Sequence, residues 1–327
     1  MRRREFITLV GSVAAACPRA VRAQQPAMPV VAFVNARSAD TTVDVAAAFR
    51  KGLGETDYFE GQNVTVEYHW LEGHYDNQPA LMADLVRRRV AVIATPSAPA
   101  TLAAKTATAT IPIIFGVPED PVRLGLVANL ARPGGNATGV NFFVAEVIAK
   151  RLRLLHDLVP KVVRVAVLVN PANVSNTETT LHIVQETAHT LGLQIKIVNA
   201  ATIGEIDAAF ASFARERPDA LFVAPDGFFV SRAVQFVTLT AHDRMPAAYP
   251  QRDMAAAGGL LSYGTELTDM YRQVGAYAGR VLKGAKPADL PVLQSTKFEF
   301  VINLQTARAL GIEVPSGLLS IADEVIE

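Results

Sequence analysis

Side chains able to do covalent or metal chemistry are few and scattered. The sequence holds one cysteine, Cys17, and six histidines. His69 and His74 are five apart across a strand end and a loop, a poor spacing for a shared metal ion. His182 and His189 lie two turns apart on one helical stretch, as on a solvated face. His156-Asp157 and His242-Asp243 sit near helix ends, where a positive imidazole suits the dipole. There is no P-loop and no G-x-S-x-G elbow. Asn35-Ala36-Arg37-Ser38 stands where a dinucleotide fingerprint would follow the first strand. Glu119-Asp120 pairs two carboxylates, but no nucleophile accompanies them, so acid/base catalysis carries low weight. No catalytic residue, metal site or cofactor is expected.

What remains is recognition chemistry, and it recurs where apolar runs stop. Asn35 and Ser38 follow the first run, and Thr95-Pro96-Ser97 a later one. Asp120, Asn170, Asn173, Asp226, Tyr249 and Tyr263 occupy equivalent places further on. Singly, such residues are more often turn and cap residues than ligand contacts. Together they would line a cleft with neutral donors and a few carboxylates. Thr95 and Ser97 precede a helix, where free backbone N–H groups can hold a carboxylate. Asp120 and Asp226 could pair with an ammonium. Tyr249, Tyr263, Phe228 and Phe229 could pack on an apolar body. These features point to an amino acid or a close relative as ligand.

The elements that must position these residues alternate strand and helix. Val30–Val34 reads as a buried strand, 43–56 as a helix with Ala46, Phe49 and Leu53 on one face, and 64–68 as a strand. A helix capped by Asp76 and ending at Arg88, a strand over 90–94, a helix over 98–107 and a strand over 113–115 follow. The pattern restarts with helices over 144–158, 177–191, 203–215 and 230–242, interleaved with strands over 164–169, 195–198 and 220–223. Continuous apolar strands between helices mean parallel sheets covered on both faces. The chain is therefore expected to be α/β, with two Rossmann-like lobes joined by a multi-strand hinge. One lobe spans 28–140, completed by part of 264–295; the other spans 141–260, completed by part of 296–327. Turn-rich 132–140 and 258–264 are the expected crossings.

Composition narrows the partners. The 327 residues are half apolar, and Lys plus Arg equals Asp plus Glu at 31 each, so nucleic acid is not an expected partner. Arg2-Arg3-Arg4-Glu5-Phe6, an apolar stretch to Ala16 and Val21-Arg22-Ala23 form the pattern of a twin-arginine export signal over 1–23. The apolar stretch is shorter than the about 20 residues a membrane span needs. Ala14-Ala15-Ala16 before Cys17 only loosely matches a lipoprotein site, so a periplasmic protein without a lipid anchor is expected.

Several stretches carry a family resemblance. They are Arg-Arg-Arg-Glu-Phe-Ile at 2–7, Glu-Gly-Gln-Asn-Val-Thr-Val-Glu-Tyr at 60–68 and Leu-Val-Arg-Arg-Arg-Val-Ala-Val-Ile-Ala at 85–94. Asp-Pro-Val at 120–122, Arg-Pro-Gly-Gly-Asn-Ala-Thr-Gly-Val at 132–140, Val-Ile-Asn-Leu-Gln-Thr-Ala-Arg-Ala-Leu-Gly at 301–311 and Ala-Asp-Glu-Val-Ile at 322–326 continue it. From end to end the chain resembles the substrate-binding proteins of ABC importers in the tryptophan/tyrosine-type family. That resemblance implies a type I periplasmic-binding-protein fold, capture of a small ligand without chemistry, and delivery to a membrane permease, as a monomer. It places the ligand carboxylate near Thr95, Pro96 and Ser97, with contacts from Asp120, Asn170 and Asp226. Family members often carry Asn where this chain has Gly227. A sensor for a receptor kinase and, further off, an enzyme using Glu119, Asp120 and Asp226 are the competing expectations. A DNA-binding regulator is disfavoured, because the export pattern occupies the place of a helix-turn-helix.

Overall fold

The computed structural model describes residues 28–142 and 144–327. The export pattern and Cys17 lie outside the described residues. Two sheets organise the chain. The first contains β1 (Val30–Asn35), β2 (Thr65–Trp70), β3 (Val92–Thr95), β4 (Ile113–Val117) and β5 (Ala137–Asn141). The second contains β6 (Arg164–Val169), β7 (Gln194–Asn199), β8 (Ala220–Val223), β9 (Ala247–Tyr249) and β10 (Leu261–Thr265). The strand β11 (Leu293–Gln294) then returns to the first sheet, while β12 (Phe298–Asn303) and β13 (Glu324–Ile326) complete the second. The orders are β11-β5-β4-β3-β1-β2 and β13-β12-β10-β9-β8-β6-β7. All pairings are parallel except β10 with β12.

Side-chain alternation explains why both faces of each sheet are covered. Val31 and Phe33 of β1 face one apolar cluster, with the helices Val43–Gly54 and Leu267–Leu282. Ala32 and Val34 face another, with the helices Gln78–Arg88 and Ala98–Ala107. In the second sheet Val165, Val167 and Val169 serve one cluster and Ala166 and Leu168 the opposite one. A strand buried on both faces must be apolar at every position, and β1 and β6 are nearly so.

Among the described residues the chain passes between the lobes three times: after β5, after β10 and between β11 and β12. The passages are tied together. Thr265 Oγ1 donates to the Phe142 carbonyl at 3.2 Å, and Ser295 N–H to the Asn141 carbonyl at 2.8 Å. Glu266 N–H donates to the Lys297 carbonyl at 3.1 Å. Three linked segments let the lobes rotate about the hinge while resisting independent drift.

The turn-rich stretches expected to cross do so only at their far ends. Residues 137–140 belong to β5 and 261–264 to β10, and the chain leaves each sheet just afterwards. Glycine misled the reading here. A Cβ at Gly139 would collide with the Phe115 backbone, so that glycine permits close strand approach and not a turn. Two helical expectations also shift. Asp76 lies in a 3-10 turn, and the following helix starts at Gln78 with Pro79 in its first turn, where a missing N–H costs nothing. The helix expected over 230–242 splits into Gly227–Val230 and Ala233–His242.

Candidate functional site

The carboxyl ends of strands from both sheets converge on a cavity of about 90 Å³ between the lobes. Asn35, Tyr75, Ser97 and Glu119 line it from the first lobe, and Asn173, Asn176 and Asp226 from the second. Pro96, Pro118, Phe142, Pro225, Met270 and Tyr271 supply apolar wall. The lobes touch across it. Tyr75 Oη donates to Asp226 Oδ2 at 3.0 Å, Ser38 N–H to Ser231 Oγ at 3.0 Å, and Arg37 pairs with Asp253 at 3.0 Å. A Cβ on Gly227 would lie 3.0 Å from the Ala36 Cβ. A side chain there would press against the opposite lobe, so glycine favours this close approach.

Ser97 precedes the helix Ala98–Ala107 in extended backbone, and Pro99 occupies the first turn. Its hydroxyl is buried and has no hydrogen-bond partner. A free hydroxyl beside unsatisfied N–H groups at a helix start is suited to an anionic group. Thr95 is fully buried and spends its hydroxyl on Thr101 at 2.9 Å, bracing the turn without lining the cavity. Asn35 accepts from Arg37 N–H at 2.9 Å and donates to Tyr271 Oη at 2.8 Å, which fixes its amide in the cavity wall.

Asp226 caps the helix Gly227–Val230 by accepting from Phe228 N–H at 3.0 Å. Asn170 and Asn173 donate to its two oxygens at 3.0 and 2.9 Å, and Tyr75 arrives from the other lobe. Burial pushes the Asp226 carboxyl up, while the Asn170, Asn173 and Tyr75 donors pull the other way. Burial and the neighbouring Asp226 raise Tyr75 well above the usual phenol range. With these acceptor positions occupied, Asp226 has little left for a ligand ammonium. The role read for it from sequence is corrected to that of a structural cap and interlobe tie.

Other expected residues lie elsewhere. Asp120 is exposed and accepts from Val122 N–H at 2.8 Å, a turn cap outside the cavity. Asn170 acts behind the wall, through Asp226. Ser38 is an interlobe contact that bonds Thr41 and Ser231, away from the cavity lining. Tyr249 is fully buried in the second-lobe core with its hydroxyl on Thr240 at 2.9 Å. Tyr263 stacks on Phe298 over the second sheet, ring centroids 6.2 Å apart. Phe228 and Phe229 are both core residues. Asn35, Pro96, Ser97, Asn173 and Asp226 are the expected residues that do line the cavity.

Sequence reasoning missed Tyr75 and misplaced the free carboxylate. Tyr75 follows β2, whose carboxyl end is not among the strand ends read from the sequence; the same strand-end rule finds it. Glu119 is 6% exposed, lines the cavity, and has no partner among the described residues on either carboxylate oxygen. Burial pushes it up to about 7. Asp120, one of the two carboxylates expected to meet an ammonium, lies outside the cavity lining, whereas its neighbour Glu119 is part of it. Among the described residues, no cluster of three His, Cys, Asp or Glu side chains is placed to hold a metal. No helix among them is long and apolar enough to cross a membrane.

Comparison with known proteins agrees with this fold. A tyrosine-binding protein of Clostridioides difficile (strain R20291) is 26% identical over 265 residues, 81% of this chain and 76% of that protein. The structure of an ABC domain from Streptococcus pneumonia in complex with L-Trp overlays with a TM-score of 0.82 at 25% identity, covering 91% of this chain and 100% of that one. A conserved domain protein from Vibrio cholerae overlays at 0.84 with 23% identity, over 91% of this chain and 99% of that one. Residues 28–326 match the family model for the ABC transporter substrate binding protein, and the chain belongs to that family.

Proposed function

We propose that this protein is the extracytoplasmic receptor of an ABC importer, capturing an amino acid or a related aromatic or branched carboxylate between its lobes and presenting it to a membrane permease. The observation that carries the reading is the interlobe cavity, walled by strand ends of both sheets and holding polar groups with unspent hydrogen-bonding capacity. A cleft between domains is the usual place for a small ligand. The tyrosine-binding relative and the L-Trp complex favour an amino acid among the possible ligands. The paired arginines and apolar run at the start of the sequence support export through the twin-arginine route, with the working chain beginning near Gln24.

Capture requires no chemistry. A micromolar ligand supplies about 8 kcal/mol, and the part of it that differs between open and closed forms shifts the closure equilibrium. The hinge transmits that shift to the outer faces of both lobes, which a permease can read.

A thermal-shift series against amino acids, aromatic acids and small amides tests this. A compound bound only by the folded state stabilises it by about 2.7 kcal/mol at a hundredfold excess over its Kd. A hit recovered chemically unchanged supports a receptor. Turnover of the hit would overturn it in favour of an enzyme. Uptake of the hit by cells, lost when the gene is deleted, separates an importer receptor from a kinase sensor.

A further inference from the structure

We infer that the interlobe cavity takes a ligand bearing an ammonium group, and that Glu119 is the side chain that receives it. This rests on the proposed binding function and names the chemistry of its ligand.

The second-lobe carboxylate, Asp226, already accepts from Tyr75, Asn170, Asn173 and Phe228. Asn35 is engaged on both its amide oxygen and its amide nitrogen. The buried atoms of lining residues that are left without a partner are the two oxygens of Glu119, the Asn173 Oδ1, the Ser97 hydroxyl and the Arg37 Nε–H. Three of these five atoms can only accept while Glu119 is ionised, so the partner that Glu119 and Asn173 lack is a donor, while the Arg37 Nε–H lacks an acceptor. An ammonium brings three N–H donors and a charge opposite to that of the carboxylate. The Ser97 hydroxyl and the helix start behind it can serve a carboxylate on the same molecule.

Burying a carboxyl group without a partner is costly, and native structures rarely keep such a group without a use. Among the described residues, no cation is paired with Glu119. Arg37, which lines the same cavity, is paired with Asp253 through its Nη2, and its Nε–H is without an acceptor. The other titratable groups facing the cavity are Tyr75, Asp226 and Tyr271. Burial raises both phenols, which stay protonated near neutrality; it raises Asp226 too, against the donors that already occupy its oxygens. Glu119 is pushed up to about 7 by burial, so it is the group whose proton an arriving ammonium displaces.

The test is calorimetric titration of the full chain with L-tyrosine, L-leucine and L-alanine, each beside its counterpart lacking the amino group (hydroxyphenylpropionate, isocaproate and propionate), and with tyramine. Titrations at pH 7 in buffers of different ionisation enthalpy count protons, and Glu119→Gln is run in parallel. The expected result is an amino acid or amine that binds, with release of about half a proton. Its deaminated counterpart binds about 100-fold more weakly, and Glu119→Gln loses a similar factor while melting as a folded protein. Equal binding of the deaminated acid, or wild-type affinity in Glu119→Gln, overturns the assignment and leaves the receptor reading standing. Silence from every compound overturns both.

Discussion

Two buried carboxylates face each other across one cleft and behave oppositely. Asp226 follows β8 in the second lobe and is surrounded by four donors, one of them from the other lobe. Glu119 follows β4 in the first lobe, equally buried, and its oxygens bond nothing. Position alone would assign them the same task, because both lie just beyond the carboxyl end of a parallel strand. Satisfaction separates them. A saturated carboxylate organises the protein around itself, whereas an unsatisfied one destabilises it until a partner arrives. Sites that bind ligands are expected to keep such unspent capacity, since contacts already made within the protein cannot be offered again.

The first way to break the comparison is Asp226→Ala. It removes a helix cap, about 1 kcal/mol, and strands the Asn170, Asn173 and Tyr75 donors, each orphan costing about 1–3 kcal/mol where water cannot reach it. We expect the ligand-free protein to lose about 4 kcal/mol in urea titration. A nearly unchanged midpoint would show Asp226 to be as dispensable to the fold as a pure ligand contact.

Glu119→Gln should move stability the other way. The folded-state carboxyl, raised to about 7 from an ordinary 4.5, holds its proton where the unfolded chain has lost it. The native state therefore binds more protons across that window, and wild-type stability falls as pH rises from about 4.5 to about 7. The full penalty, about 3 kcal/mol, persists above it. Glutamine carries no charge to bury, so the variant should melt higher than wild type at pH 8 and show a flatter profile. Melting temperatures at half-unit pH steps decide this. Parallel profiles would mean that Glu119 finds solvent or a donor that neutralises the cost. Gain of stability with loss of binding is the signature that sets this carboxylate apart from Asp226.

What could be read from the sequence follows the same division. Strand and helix positions came from periodicity, which survives in β1 and β6 because burial on both faces dictates apolar residues there. Pro96-Ser97 and Asp226 could be found because strand ends carry function in open α/β sheets. Whether a polar residue is spent or free is not a property of its own position. Asp226 is spent because Asn170, Asn173 and Tyr75 reach it from other parts of the chain, Tyr75 from 151 residues away. Asp120 and Glu119 are adjacent, yet one turns outward to cap Val122 while the other turns into the cavity. The glycines at 139 and 227 tell a similar story, since what they make room for lies on another strand or another lobe.

Tyr75→Phe sharpens the comparison at lower energy. It removes only the interlobe donor to Asp226, about 1 kcal/mol for a neutral hydroxyl on a charged acceptor, and keeps the ring. The lobes should still fold, so melting should fall by little. The closed form alone loses the bond, so small-angle scattering of the ligand-free protein should show a larger radius of gyration and ligand affinity should fall about fivefold. A melting loss as large as that of Asp226→Ala would place Tyr75 in the fold instead of in closure.

Ser97→Ala should give the smallest effect. The hydroxyl has no partner in the protein, so its removal leaves no orphan and melting should be unchanged within error. The backbone N–H groups at the start of the helix Ala98–Ala107 remain to hold a ligand carboxylate, and the helix dipole still favours it by about 0.3–1 kcal/mol. One neutral hydrogen bond is lost, so affinity for an amino acid should fall about three- to tenfold. Affinity for tyramine, which lacks the carboxylate, should not change. Equal losses for both would mean that Ser97 serves the ammonium end beside Glu119, and the orientation of the ligand across the cavity would be reversed.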